Sequence, residues 1–183
     1  WICAGENWEA VRHLDGLVRH KHPRALIKRT ADFWTLWVRK EPLPDGHLSE
    51  RIQEQYRRSL LVLSTQLDWR GGILAGNDSD VIQYNRDTYS YVWPRDGALV
   101  ANALDLAGYP ADARRFFEFA ASVLDEEGYF LHKYNPDGSL ASSWHPWVEG
   151  GERQLPIQED ETALVLWALW QHFVLYRDID FIK

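Results

Sequence analysis

Apolar residues recur at three- and four-residue spacings along most of this chain. Such spacing places them on one face of an α-helix. The pattern covers "NWEAVRHLDGLVRH", "PRALIKRTADFWTLWVRK", "LSERIQEQYRRSLLVLSTQL", "DGALVANALDLAG", "PADARRFFEFAASVLDEEG" and "EDETALVLWALWQHFVLYRD". We therefore predict an all-α fold, a series of helix pairs with elaborate loops at one end.

Proline and glycine mark where these helices begin and end. Pro23 stands where the first turn of a helix tolerates proline, and Gly108 ends a helix that a short Tyr-Pro step joins to the next one. Helices joined by so short a step should lie antiparallel. The segment "EPLPDGH" breaks the pattern, so we predict linker helices and the end of a preceding domain over 1–44, and the main helical unit over 45–183.

Charge and cysteine content exclude several classes of function. The 183 residues carry 20 Lys and Arg against 27 Asp and Glu, a net charge of −7, with no basic run to suit nucleic acid or an anionic membrane. The single cysteine, Cys3, excludes an internal disulfide, and the seven histidines lack metal-ligand spacing. We predict no cofactor, no metal, no nucleic acid and no membrane partner. The low cysteine content suits the cytoplasm without demanding it.

The segment "YSYVWPRDGA", residues 89–98, combines three aromatic rings with an arginine and an aspartate. Pro94 and Asp96 suit the first turn of a helix, so an aromatic core segment leading into a helix is one interpretation. A sugar site is the other interpretation. A polyol needs carboxylate and guanidinium groups for its hydroxyls and a flat apolar ring for its C–H face.

A second polar cluster stands at a helix start. Gln158, Glu159, Asp160 and Glu161 open the last long helix, directly after the segment "YFLHKYNPDGSLASSWHPWVEGGERQLPIQ". Aromatic residues argue against disorder in that segment, and loops of this length in compact domains are usually functional. Acidic residues at a helix start are ordinary. If both helix starts lie on one rim, however, both clusters face one pocket.

These motifs resemble glycoside hydrolase family 15, which contains glucoamylases, glucodextranases and some trehalases. "YSYVWPRDGA" and "LPIQEDETALVLWAL" carry the resemblance, and "GGILAG" and "SSWHPWV" are similar to its bacterial and archaeal branches. The resemblance implies an (α/α)6 barrel, or helical toroid, preceded by a helical linker. "PRALIKRTADFWTLWV" resembles the end of that linker, and the chain from Leu48 onward resembles the first helices of the barrel.

The resemblance implies a role for each matching residue of the first motif. Arg95 and Asp96 would bind hydroxyls of the non-reducing sugar in the innermost subsite. Tyr89 and Trp93 would wall the same sugar. The expected substrate is an α-glucan or a glucosyl disaccharide.

The second motif and the aromatic loop are matched in the same way. Gln158 and Asp160 correspond to polar residues that shape the same pocket from the second helix start. The loop that would line the next subsite contains Trp144, His145 and Trp147.

The resemblance places the bond-breaking groups outside this chain. The family inverts the anomeric carbon with two glutamates, a general acid and a general base, whose carboxyls lie about 6.5–9.5 Å apart to admit a water. Its Trp-Glu-Glu segment and its base motif do not occur here, so no catalytic residue is assigned. We expect both ends to be cut, the C-terminal half of the barrel to be the missing partner, and an apolar edge to be exposed.

Two alternatives from other classes stay open. A non-catalytic carbohydrate-binding module would also explain the aromatic loops, and it would bind saccharide without downstream glutamates. A helical-repeat interaction protein would explain the paired helices. No fixed repeat period is visible, however, and repeats do not account for two polar clusters at helix starts.

Overall fold

A computed structural model describes residues 1–41, 48–78, 88–141 and 148–183. Helices predominate, and the only strands among the described residues form one short hairpin. The elements are α1 (Trp8–Lys21), α2 (Pro23–Trp37), α3 (Glu50–Ser64), α4 (Pro94–Leu106), α5 (Pro110–Val123), β1 (Val148–Glu149), β2 (Glu152–Arg153), α6 (Glu159–Tyr176) and α7 (Ile179–Ile182). The all-α prediction is thereby confirmed.

The chain divides into two compact units, Trp1–Arg57 and Arg58–Lys183. The division falls inside α3. The predicted domain boundary after residue 44 stays a prediction, and residues 42–47 around it lie outside the described part of the chain.

The first unit contains α1 and α2. Asn7 begins α1, its side chain accepting the Ala10 N–H at 2.9 Å, and Pro23 begins α2 with its fixed φ. His22 turns the chain between the two helices with a positive φ of 63°. No side chain of either helix is fully buried.

The second unit is built on α4, α5 and α6. Gly108, at a φ of 83°, ends α4 and lets the chain turn into α5, which packs against it. The most extensive helix contact is between α4 and α6. Arg95 contacts Glu161 where both helices begin, and Asp105 contacts His172 where both approach their ends. Because like ends meet, α4 and α6 run parallel and their starts share one side of the unit.

The core of this unit mixes small and aromatic side chains. Alanines of α4 and α6 let the two helices approach closely, and phenylalanines of α5 fill the space between them. The buried cluster comprises Ile73, Val92, Ala98, Ala101, Ala113, Phe116, Phe117, Phe119, Ala120, Phe130, Tyr134, Val165 and Ala168.

A buried ionisable pair joins α4 to α6 at the end away from their starts. His172 Nδ1 lies 2.9 Å from each carboxylate oxygen of Asp105, and the Tyr176 hydroxyl donates to the Asp105 carbonyl at 2.8 Å. Phe117 and Phe181 stand edge-on to the imidazole. Burial raises the pKa of Asp105, and the hydrogen bond and charge of His172 oppose that rise.

The outer surface of α6 is apolar and exposed. Leu166 is 61% exposed and Trp170 is 58% exposed. A groove with a cavity volume of about 310 Å³ runs along this surface, lined by Leu166, Leu169, Trp170, Phe173, Ile179 and Ile182. A continuous exposed apolar surface of this kind is suited to contact with another element.

Gly97 allows α4 to approach α5 near the start of α4. A Cβ at this position would lie 2.2 Å from Cε2 of Phe116, which is itself buried. We therefore expect Gly97→Ala to lower the free energy of unfolding by about 1–3 kcal/mol, because the ring has no room to move. Gly16→Ala in α1 is the matched control. No atom lies within 4 Å of a Cβ there, so this change should stabilise its helix by up to about 1 kcal/mol. Chemical denaturation of both variants tests the difference, and an equal effect would contradict it.

Candidate functional site

The first turn of α4 has backbone N–H groups that find no acceptor inside their own helix. Trp93 occupies the cap position and makes no capping hydrogen bond with its side chain, Pro94 has no N–H, and Asp96 stands in the first turn. The first N–H groups of any helix lack partners within that helix. An acceptor from elsewhere in the chain is therefore needed for the Arg95 N–H.

Glu161 of α6 supplies that acceptor. Its Oε2 accepts a hydrogen bond from the Arg95 backbone N–H. Its Oε1 lies 3.5 Å from Arg95 Nη1, yet makes no hydrogen bond within the described residues. The side chain is fully buried, at 0% exposure. A buried carboxylate from one helix therefore caps the start of the other.

The Arg95 guanidinium connects the two polar clusters. Nη1 donates to Gln158 Oε1 at 2.6 Å and lies 3.2 Å from Asp160 Oδ2, while Nη2 lies 3.4 Å from Asp96 Oδ2. Gln158 occupies the N-cap position of α6, but its side chain makes no capping hydrogen bond. Its side-chain oxygen instead accepts the hydrogen bond from Arg95. A planar guanidinium with several fixed donors suits such a junction.

Burial raises the pKa of Glu161 to about 7, against the opposing effects of the Arg95 N–H and guanidinium; Asp160 and Asp96 add a smaller rise. The folded chain therefore holds a proton here that the unfolded chain releases near its ordinary pKa of 4.5. The carboxyl thus favours the folded state most at low pH. That advantage is lost as the pH rises from 4.5 to about 7.

We expect Glu161→Gln to flatten this dependence. In wild type, Glu161 should lower the free energy of unfolding by at most about 1.4 kcal/mol for each pH unit inside that window. Glu159→Gln, an exposed change in the same turn of α6, should leave the slope unaltered. Denaturant unfolding of the three proteins at a series of pH values is the measurement. Equal slopes in wild type and Glu161→Gln would contradict the assignment.

Aromatic rings lie beside this polar junction. Tyr89 is 56% exposed, and its ring centre lies 5.8 Å from that of Trp93 at a tilt of 33°. Trp93 is 4% exposed and donates from Nε1 to His132 Nε2 at 3.2 Å. Tyr91 meets Trp93 edge-on at 5.9 Å. The Tyr89 ring is therefore exposed to solvent, and the buried Trp93 ring packs against it.

A buried lysine lies under the same rings. Lys133 is 1% exposed, and its Nζ lies 4.3 Å from the ring centre of Tyr91 and 5.4 Å from that of Trp93. These are cation–π distances. Burial and the charges of Lys133 and Arg95 lower the pKa of His132. The buried side chains under the rings are therefore Lys133 and His132, and the guanidinium of Arg95 is more exposed.

Backbone pairing holds the aromatic segment in place. Val92 and Tyr134 exchange two N–H···O bonds of 2.8 Å, which brings Trp93 beside His132. Ahead of them, Gly76 N–H donates to the Tyr89 carbonyl at 3.0 Å, and the Asp78 carboxylate accepts the Tyr89 N–H. Gly138 N–H donates to the Asn135 carbonyl at 2.9 Å, which closes a turn at "NPDG".

Several of the predicted site residues lie together. Tyr89 contacts Trp93, and Arg95 contacts Asp96, Gln158 and Asp160. The other predicted site residues lie outside the described part of the chain: Trp144, His145 and Trp147.

Three further residues belong to the junction without being among the predicted site residues: Glu161, which the sequence shows only as a member of the acidic cluster, His132 and Lys133. The sequence places Glu161 in the acidic first turn of a helix, which gives no sign that it would be fully buried. His132 was counted among scattered histidines. The only available signal was that "HK" interrupts an aromatic run.

The arrangement can hydrogen-bond a neutral polyhydroxylated ligand. Side-chain exposures of 31% for Arg95, 43% for Asp96 and 53% for Asp160 leave donors and acceptors accessible. Glu161 cannot touch a ligand, because it is fully buried.

Among the residues that the structure describes, no group of three or more His, Cys, Asp or Glu could hold a metal ion. Within the same residues, no helix combines the length and the apolar character needed to cross a membrane.

The chain is similar to a protein named as a glycosyl hydrolase. An uncharacterized glycosyl hydrolase of Methanocaldococcus jannaschii is 31% identical to it over 140 residues. The aligned region takes in 76% of this chain and 20% of that protein, so the chain spans about a fifth of the length of its relative. No protein-family model matches the chain, and no solved structure matches it.

Proposed function

We propose that this chain is the sugar-binding part of a longer glycoside hydrolase of family 15 that releases glucose from α-linked glucosides with inversion. The observation that carries the proposal is the junction of the two helix starts through Arg95, which contacts Gln158 at 2.6 Å and Asp160 at 3.2 Å. The similarity to a glycosyl hydrolase supports the general class. The two sequence motifs support the family.

A terminal glucosyl unit fits this junction by its chemistry. Its C–H face would lie on the exposed Tyr89 ring, which Trp93 supports. Asp96 and Asp160 would accept hydrogen bonds from hydroxyl groups, and Arg95 would donate to them. A neutral sugar needs several such bonds around an apolar surface to fix its orientation. A productive orientation is what a hydrolase requires before it cleaves.

The general acid and base belong to the rest of the longer protein. Both must reach the glycosidic oxygen and its attacking water. Glu161 is excluded because it is fully buried. Asp96 and Asp160 hold Arg95, and we assign them to hydroxyl binding. This chain alone should therefore not release glucose.

The rest of the longer protein would also cover the apolar surface of α6. We propose that further helices complete an (α/α)6 barrel there and pack on Leu166, Trp170 and Ile179. These residues line or border a continuous exposed groove. The relative is about five times longer than the region it shares with this chain, which leaves length for such helices.

Expression of the reading frame beyond Lys183 tests the proposal. The longer protein should release β-glucose, the inverted anomer, from maltose or isomaltose, or glucose from trehalose, and this chain should release none. The anomer is observed by proton NMR during the first minutes. Retention of configuration would contradict the inverting mechanism. The absence of hydrolysis from all three sugars would contradict the glucosidase assignment.

A non-catalytic carbohydrate-binding module is the second candidate. The exposed Tyr89 ring beside polar groups favours it equally, since binding modules use the same contacts. This candidate predicts saccharide binding by the present chain and no downstream glutamate pair in the parent protein. Calorimetric titration of the present chain with maltose, together with the downstream sequence, separates the two candidates.

A further inference from the structure

We propose that Glu161 is a positioning residue, which holds the start of α4 through the Arg95 N–H and thereby sets where Arg95 and Asp96 meet the sugar. The inference rests on the proposed saccharide site and extends it to a residue that does not touch the ligand. Glu161 belongs to α6, so one helix determines the geometry of the other.

The geometry leaves the start of α4 dependent on Glu161. Neither Trp93 nor Pro94 can supply a capping acceptor from the positions they occupy, so the Arg95 N–H reaches across to Oε2 of Glu161. When Glu161 is ionised, this bond is charge-assisted and therefore stronger than one between neutral groups. Because the carboxylate is fully buried, water cannot take over its role if it is removed.

The second carboxylate oxygen provides an independent observation. Oε1 of Glu161 is buried, makes no hydrogen bond within the described residues, and lies 3.5 Å from Arg95 Nη1. An acceptor left in this state normally carries a cost of about 1–3 kcal/mol. A leucine would fill the space without that cost. A carboxylate at this buried position therefore fits a role in orienting Arg95 better than a role in packing.

Within the described part of the chain, four charged or titratable groups act on Glu161. Arg95 and Asp96 come from α4, Asp160 comes from α6, and Tyr134 comes from the loop packed against both. Arg95 favours the ionised carboxylate, whereas Asp96 and Asp160 oppose it. When Glu161 ionises, its bond to the Arg95 N–H strengthens. Sugar affinity should therefore increase as the pH rises through about 7.

The test compares wild type, Glu161→Gln, Glu161→Leu and the control Glu9→Gln in the longer protein; Glu9 is an exposed first-turn glutamate of α1. Two experiments are made: amide hydrogen exchange of the peptide containing Arg95, and steady-state kinetics with maltose, which give KM and kcat across the pH range. Glu161→Leu should speed exchange and lower kcat/KM by about 10- to 100-fold. Glu161→Gln retains an acceptor, so its KM should stay within about threefold of wild type. In this variant KM should no longer fall as the pH rises. Glu9→Gln should match wild type in every respect.

The two readouts separate this inference from the proposed function. Fast exchange in Glu161→Leu with an unchanged KM would overturn the positioning role while leaving the saccharide site intact. Unchanged exchange would overturn the capping itself. If Glu161→Leu fails to fold, the pH dependence of KM in wild type and Glu161→Gln is compared instead. If Glu161→Gln keeps the pH dependence of wild type, Glu161 is not a positioning residue. If wild type neither binds nor cleaves any sugar, the proposed function fails, and the exchange data still report on the cap.

Discussion

Arg95→Ala is expected to reduce kcat/KM of the longer hydrolase by at least about 100-fold, because it removes both a ligand for the sugar and the link between the two helix starts. Gln158 and Asp160 would lose the donor that holds them at 2.6 and 3.2 Å. Glu161 would lose its nearest counter-charge while staying buried. Arg95→Lys should recover only a small part of the activity, since a lysine lacks the planar arrangement of donors.

Arg114→Ala is the matched control for this prediction. Arg114 also links two elements through carboxylates, contacting Glu118 at 3.3 Å and Asp178 at 3.0 Å. It lies away from both helix starts and its side chain is 44% exposed. Its loss should leave kcat/KM within about twofold of wild type, as is usual for exposed ion pairs. A similar loss in both variants would show that Arg95 acts only through stability.

His172→Ala is expected to give the largest loss of stability, about 3–5 kcal/mol, because it leaves the buried Asp105 carboxylate without its partner. It also opens a cavity among Phe117, Tyr176 and Phe181, whose rings lie 5.1 to 5.4 Å from the imidazole. The effect should depend on pH. With His172 gone, the pKa of Asp105 rises further above 3.8. Stability then falls as the pH rises through that raised pKa, so the loss is smaller in acid.

A second substitution isolates the charge. Asp105→Asn in the His172→Ala background removes the unpaired carboxylate, so part of the lost stability should return at neutral pH and none in acid. His13→Ala, an exposed change in α1, controls for the loss of a histidine as such. The measurement is the free energy of unfolding by denaturant at both pH values. No recovery in the double variant would mean that the cavity alone accounts for the loss.

The helices could be predicted from the sequence because their determinants are local. Apolar spacing identified α1 to α6, and Pro23, Pro94 and Gly108 marked three of their ends, since each acts through its own backbone. The polar clusters at the starts of α4 and α6 were also visible. The two clusters can contact each other only if α4 and α6 begin on the same side of the unit, and the sequence does not determine that.

The contacts that make the junction are not local. Arg95 and Glu161 lie 66 positions apart, and Asp105 and His172 lie 67 apart. Glu161 looks like any first-turn acid, because full burial results from the packing of α4 on α6 and not from its neighbours in sequence. The same is true of Lys133, whose burial under Tyr91 follows from the pairing of Val92 with Tyr134.

Replacement of Asp96 tests most directly whether the joined helix starts bind sugar. Asp96→Ala in the longer protein is compared with Asp112→Ala, which removes a first-turn aspartate from α5, another helix that begins with proline. We expect Asp96→Ala to lower glucose release from the preferred disaccharide by about 100-fold and Asp112→Ala to leave it near wild type. Equal rates in wild type and Asp96→Ala would contradict the saccharide site at this junction.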